Sequence, residues 1–185
     1  MIILFEGPDG SGKSTVIQKL AKDLYHMNKR VLILNTEDVA PTKPSAKNRV
    51  SKKELKTKFK TLAKDHKIWL IDRSPLSDCI YRVFDNEQPV LPFNELLDFV
   101  KDIYSNCFMI YCRTDKAEEY MLARGETNPT SLNRHRELTK VYDLTFGVWQ
   151  RMFPDASYKY DFTKKKSYTD MLNAIMKFNF ITGGK

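Results

Sequence analysis

The segment Gly7-Pro-Asp-Gly-Ser-Gly-Lys-Ser14 fits the pattern G-x-x-x-x-G-K-[ST], and its setting narrows the fold more than any other feature of the chain. The apolar run Met1 to Phe5 leads into it through Glu6 and reads as a buried strand. Behind it, between Lys13 and Met27, Val16, Ile17, Leu20, Ala21 and Leu24 recur with helical spacing. A strand, a glycine loop and a helix in that order turn successive backbone N–H groups inward and add the positive end of the helix. Such a loop cradles phosphate. Gly7, Gly10, Ser11, Gly12, Lys13, Ser14 and Thr15 are therefore expected to hold the phosphates of ATP or GTP, with ATP the expected cofactor. Lys13 is placed to reach the β- and γ-phosphates, and the Ser14 hydroxyl to ligate Mg2+.

The rest of the chain repeats the alternation of strand and helix. Val31 to Leu34, Ile68 to Asp72, Cys107 to Tyr111 and Ser157 to Asp161 read as further strands, the second of the five as a buried one. Helical stripes lie between them: Leu55, Phe59, Leu62 and Ala63 on one, then Leu76 to Val83, Phe93 to Tyr104, Lys116 to Ala123 and Arg134 to Met152. Thr36 to Ser51, with Pro41 and Pro44, and Arg124 to Asn133, turned by Asn128-Pro129, read as loops. Ser167-Tyr-Thr-Asp170 reads as a capping signal for a last helix. Near-continuous apolar strands alternating with helices predict an α/β domain over residues 1–185, a five-stranded parallel sheet covered on both faces. Ligands of such sheets bind beyond the carboxyl ends of the strands. That places Gly7 to Thr15, Thr36 to Asp38, Asp72 to Ser74, Arg113 to Asp115 and Asp161 to Lys166 around the expected site.

Charge is concentrated in one place. Residues 43–67 carry ten basic and two acidic side chains, while the other 160 residues carry 21 of each, so this segment holds the whole net charge of +8. Two readings stand: a solvated helix face with Lys52, Lys56, Lys60 and Lys64 in a stripe, or a platform that gathers a polyanionic substrate. Three cysteines, Cys79, Cys107 and Cys112, are too few and too loosely spaced for a disulfide scaffold or a zinc site. The N-terminal apolar run is too short for a signal-peptide core or a membrane span, so a cytoplasmic protein with no membrane attachment is expected.

Asp72 ends a strand, where a carboxylate can orient Mg2+ and its waters, and Arg73 follows it with a planar fork suited to phosphate. Glu6-Gly-Pro-Asp-Gly-Ser-Gly-Lys-Ser-Thr15 together with Asp72-Arg-Ser-Pro-Leu-Ser-Asp-Cys-Ile-Tyr81 resembles the thymidylate kinase and deoxynucleoside kinase families of P-loop kinases. The resemblance implies that fold for most of the chain. It implies metal and acceptor-phosphate roles for Asp72 and Arg73, and acceptor contacts for Asp9, Ser77 and Tyr81. Glu37 and Asp38, after the second strand, stand where a nucleoside acceptor would need a base. Arg124, Arg134 and Arg136 bracket a stretch, about 124–136, that resembles the lid of these kinases and would bring positive charge onto the transferring phosphoryl group.

The function expected from these residues is ATP-dependent phosphoryl transfer to a deoxynucleoside monophosphate. A deoxynucleoside kinase acting on a 5′-hydroxyl is the alternative. A polynucleotide kinase, suggested by the lysines, comes third, since Phe59 is the one aromatic in residues 43–67 that could stack on a base. A small-molecule nucleotide is thus the preferred partner over nucleic acid, and no residue pattern marks an interface, so a homodimer stays open.

Overall fold

The computed structural model describes residues 1–35 and 50–181. Five strands, β1 (Ile2–Glu6), β2 (Val31–Asn35), β3 (Ile68–Asp72), β4 (Cys107–Cys112) and β5 (Ser157–Tyr160), form one parallel sheet in the order β2-β3-β1-β4-β5. This is the α/β sheet expected from the alternating pattern. The register sets Phe5 beside Asp72 and Glu6 beside Tyr111, so the carboxyl ends of the three central strands finish at one level.

Seven helices are described: α1 (Lys13–His26), α2 (Lys52–Lys64), α3 (Pro75–Phe84), α4 (Phe93–Ile103), α5 (Ala117–Ala123), α6 (Pro129–Met152) and α7 (Ser167–Ile181). Residues three apart on a strand point to opposite faces. On β4, Phe108 meets Phe178 of α7 at 5.3 Å between ring centroids, and Tyr111 stacks on Phe146 of α6 at 4.7 Å. Helices therefore cover both faces. Tyr168 of α7 donates to Asp23 of α1 at 2.6 Å, and Lys19 lies 3.7 Å from the Tyr168 ring, which joins the two helices on one side. Among the described residues, no helix is long and apolar enough to cross a membrane.

β1 and β4 are buried along their whole length, as near-continuous apolar strands require, and the burial of β1 includes its last residue, Glu6. β2 departs from the expected buried strand. It is the sheet edge, and Leu32 and Ile33 are each 41% exposed. Strand order decides this, and strand order is not written in the composition of the strand itself.

Two other expectations are corrected at helix ends. Residues 129–133, read as loop, are the first turn of α6: the Asn128 side chain accepts the Thr130 N–H at 2.9 Å, and Pro129 needs no donor there. Asn-Pro signals a turn and a helix start equally well, and here it is the start. The connector between α5 and α6 is only 124–128. α7 does begin at Ser167, but the Ser167 hydroxyl accepts the Asp161 N–H at 2.9 Å instead of capping its own helix. The capping box of the fold belongs to α2, where Ser51 and Glu54 satisfy each other's N–H groups at 3.3 and 2.8 Å.

The lysine stripe of α2 is a seam rather than a free face. Lys52 pairs with Glu95 at 2.7 Å and Lys60 with Asp102 at 2.8 Å, both on α4, and Lys56 lies 6.0 Å from the Phe99 ring. These pairs are half-exposed, so each contributes about 0–1 kcal/mol. Replacing Lys52 and Lys60 together by Met is expected to lower stability by no more than about 2 kcal/mol. The check is the urea midpoint, and a much larger loss would mean that charge, not Leu55 and Phe59 beneath it, anchors α2. Residues 43–49, the other part of the basic segment, lie outside the described residues.

Candidate active site

The loop after β1 is shaped by what surrounds it. Gly7 has φ 138°, and a Cβ there would stand 2.2 Å from the Cys112 carbonyl oxygen at the end of the neighbouring strand β4. Gly12, at φ 81°, has Phe162 across it, with 2.7 Å left for a Cβ. Only glycine fits either position. Ser11 is buried and donates to the Pro8 carbonyl at 2.7 Å. The Lys13 ammonium donates to the carbonyls of Gly7 and Pro8 at 2.7 and 2.8 Å, so it bridges the loop from within. Burial, with Arg73 nearby, lowers its pKa from the ordinary lysine value. Ser14 and Thr15 are exposed at the mouth of the loop.

This loop forms one wall of a cavity of about 950 Å³, with Asp72 at the end of β3, Arg73 just after it and the start of α6 around it. β1 runs on into α1 and β3 into α3, and these helices cover opposite faces, so the cavity opens where the chain direction switches. Asp72 faces it with one carboxylate oxygen, Oδ1, buried and without a hydrogen-bond partner among the described residues. An orphaned, acceptor-only oxygen beside a phosphate loop suits a hard cation, and Mg2+ is bound by one or two such ligands plus substrate phosphates. Asp72 and the Ser14 hydroxyl are the groups that fit it.

Arg73 has φ 65°, an uncommon conformation for a residue with a side chain, and its N–H donates to the Phe5 carbonyl at 2.9 Å. The turned backbone directs the guanidinium across the cavity to Asp9, at 2.6 Å. Tyr81 flanks it, its ring 5.2 Å from the guanidinium carbon and its hydroxyl accepting at 3.4 Å. The structure thus brings Asp9, Arg73 and Tyr81 together at one end of the cavity.

Ser77 is elsewhere. Expected at the acceptor, it is buried beneath the cavity, where its hydroxyl donates to Glu6 at 2.6 Å and pairs with the Tyr142 hydroxyl at 2.9 Å. Glu6 is fully buried and accepts from Ser74 N–H at 2.7 Å, Ser77 N–H at 3.3 Å and the hydroxyls of both serines. It therefore caps α3 from the neighbouring strand and fixes the residue that follows Arg73. Burial raises the Glu6 carboxyl above its ordinary pKa, while the Ser74 and Ser77 hydroxyls, the Arg73 charge and the Ser74 N–H oppose that rise. Tyr142 extends the network to Arg73, whose guanidinium approaches its hydroxyl at 3.5 Å. Sequence reasoning missed Glu6 as a site residue; the signal available was an acidic residue closing an otherwise apolar strand.

The three arginines of the expected lid separate. Arg124 and Arg134 line the cavity; Arg134 also pairs with Asp85 at 2.7 Å, and its guanidinium lies 5.0 Å from the Phe84 ring. Arg136 points away, paired with Glu118 of α5 through a bond of 2.9 Å and a second, shorter one. His135, between them, turns inward instead and lines the cavity at 8% exposure. Its position continues the buried stripe Leu138, Tyr142, Phe146 and Trp149 of α6, a register that could have been read from the sequence. Tyr120 and Phe162, 5.0 Å apart, close the cavity beside Gly12. Glu37 and Asp38 lie outside the described residues.

Known proteins share this architecture. The YorR protein from Bacillus subtilis, solved in complex with phosphorylated GDP, is similar over 95% of this chain and 96% of its own, with a TM-score of 0.58 and 20% sequence identity. Deoxyadenosine kinase from M. mycoides is similar in two structures. One, with bound dATP, has a TM-score of 0.51 at 18% identity over 95% of this chain and 99% of that one. The other, with products dCMP and dCDP, has a TM-score of 0.53 at 19% identity over 96% and 99%. The family model of the viral superfamily 1 RNA helicase core domain matches residues 3–89, a span that includes the phosphate loop and Asp72-Arg73. The fold is that of the P-loop nucleoside and nucleotide kinases.

Proposed function

We propose that this protein transfers the γ-phosphoryl group of ATP to a deoxynucleoside monophosphate, giving the diphosphate and ADP. The observation that carries this reading is Arg73, held in a strained backbone in the cavity wall after β3, with Asp9 and Tyr81 around it. A monophosphate is already an anion and needs a cation to orient it more than a base to activate it.

In this reading the loop N–H groups and Lys13 hold the β- and γ-phosphates, and Lys13 exchanges its carbonyl partners for phosphate oxygens. Arg73 orients the acceptor phosphate so that one of its oxygens attacks the γ-phosphorus in line. The bond from that phosphorus to the β,γ-bridging oxygen breaks, and ADP leaves. Arg124 and Arg134 offset the charge that spreads over the transferring group. Asp72 and Ser14 would hold Mg2+, which supplies further charge neutralisation when bound. Tyr120 and Phe162 give the cavity an aromatic wall and exclude water.

A deoxynucleoside acceptor is the second reading, supported by the likeness to deoxyadenosine kinase and by the Asp9–Arg73 pair, which leaves a carboxylate at the acceptor end. A polynucleotide acceptor draws support only from the lysines of α2, and Lys52 and Lys60 are engaged with α4. The deciding experiment follows label from γ-labelled ATP across nucleosides, nucleoside monophosphates and a 5′-hydroxyl oligonucleotide. Labelled deoxynucleoside diphosphate is the expected product. Arg73→Ala should lower kcat/KM for that acceptor by about 10²-fold, the scale of losing a charge-assisted fork. Label on a 5′-hydroxyl, with Arg73→Ala near normal, would transfer the assignment to one of the other acceptors.

A further inference from the structure

His135 is the one imidazole that lines the cavity; His26 and His66 are both exposed. It sits in the inward register of α6 at the point where that helix leaves the core and passes the site. The ring makes no side-chain hydrogen bond to another described residue. The groups that act on it come from three elements: Asp9 and Lys13 from the phosphate loop, Glu118 from α5, and Arg113 after β4. Arg113 is itself engaged with Asp143 and Asp115, Glu118 with Arg136, Asp9 with Arg73, and Lys13 with the Gly7 and Pro8 carbonyls; of these, Lys13 is the group whose partners a bound phosphate would replace. Around the same cavity stand Arg73, Arg124 and Arg134, against Asp72 and Glu126.

We propose that His135 becomes a phosphate-facing cation only when a nucleotide occupies the cavity, so that binding takes up a proton at this ring. Burial holds the imidazole below its ordinary pKa, and Arg113 and Lys13 oppose its protonation while Asp9 and Glu118 favour it. A nucleotide's phosphates bring several negative charges onto the loop and Lys13, offset the charge of Lys13 that opposes protonation of the ring, and favour a second positive group beside them. The ring then donates to a phosphate oxygen or to a water on it. His135 thus adds to the cavity a cation whose charge depends on the ligand, unlike the fixed charges of Arg124 and Arg134. This rests on the nucleotide-binding reading above, though not on which acceptor is phosphorylated.

The test is a pH titration of the three histidine ring signals by NMR, with and without saturating ADP, using His135→Gln to assign the signal. Calorimetry of ADP binding in two buffers of different ionisation enthalpy then counts protons for both proteins. The His135 midpoint should rise by at least about one pH unit on ADP binding, the size of effect that a close opposite charge produces. Wild type should take up more protons than His135→Gln, and between the two midpoints its affinity should fall by up to about tenfold per pH unit. An unmoved His135 midpoint in ADP-saturated protein, or equal proton uptake by the variant, overturns the proposal while leaving nucleotide binding intact. If ADP does not bind at all, the nucleotide reading falls and takes this inference with it.

Discussion

Lys13→Ala is expected to lower phosphoryl transfer by at least about 10²-fold, the cost of removing one preorganised donor from developing phosphoryl charge. The same substitution should leave the fold in place. Lys13 is buried and its ammonium reaches the loop carbonyls of Gly7 and Pro8, but the loop's shape is imposed by Gly7 under Cys112 and by Ser11 bonding to Pro8. Two buried hydrogen bonds from a charged donor are lost, and of the carbonyls they leave, that of Pro8 belongs to a residue lining the cavity. The urea midpoint should therefore move by the equivalent of about 1–2 kcal/mol. The two measurements belong together. Near-normal turnover in a folded Lys13→Ala protein would remove the phosphate loop from the chemistry, whereas an unfolded variant would show that Lys13 is a structural bridge first.

The second large effect falls on a residue that touches no substrate. Glu6→Leu is expected to destabilise the protein by about 3 kcal/mol or more, because two N–H groups and two hydroxyls of Ser74 and Ser77 lose a buried acceptor together. Its reach includes the site, since Ser74 follows Arg73 and the Arg73 backbone already sits at φ 65°. Glu6→Gln should cost less, because one amide oxygen remains and Ser77 can reverse its hydroxyl toward Tyr142. Burial raises the pKa of Glu6 in the folded state, so the folded chain binds more protons there than the unfolded chain does. Its contribution is then fully present at low pH and declines as pH rises through the folded value. The stability of wild type relative to Glu6→Gln should fall accordingly above the ordinary glutamate range. Urea titrations at several pH values check this, and a constant difference would mean that Glu6 keeps an unperturbed charge.

What the sequence carried by itself was whatever depends on local pattern. The loop between β1 and α1, the strand that ends at Asp72, and the helix stripes of α1, α3 and α4 follow from period, glycine placement and caps, and those signals act over a few residues. They were enough for an α/β sheet with a phosphate site at its carboxyl edge. Tertiary structure decided everything that depends on which strand lies beside which. β2 is an edge with Leu32 and Ile33 exposed, although its residues are as apolar as those of β1. Cys112, from 105 residues further on in the chain, dictates that position 7 be glycine. Arg134, His135 and Arg136 are consecutive, yet helical rotation sends one to the cavity and Asp85, one into the cavity wall, and one outward to Glu118. Glu6 and Ser77 are 71 residues apart in the chain and meet only because β1 and β3 are neighbours. Long-range contacts of this kind are set by the free energy of packing the whole sheet, and no window of sequence contains both partners.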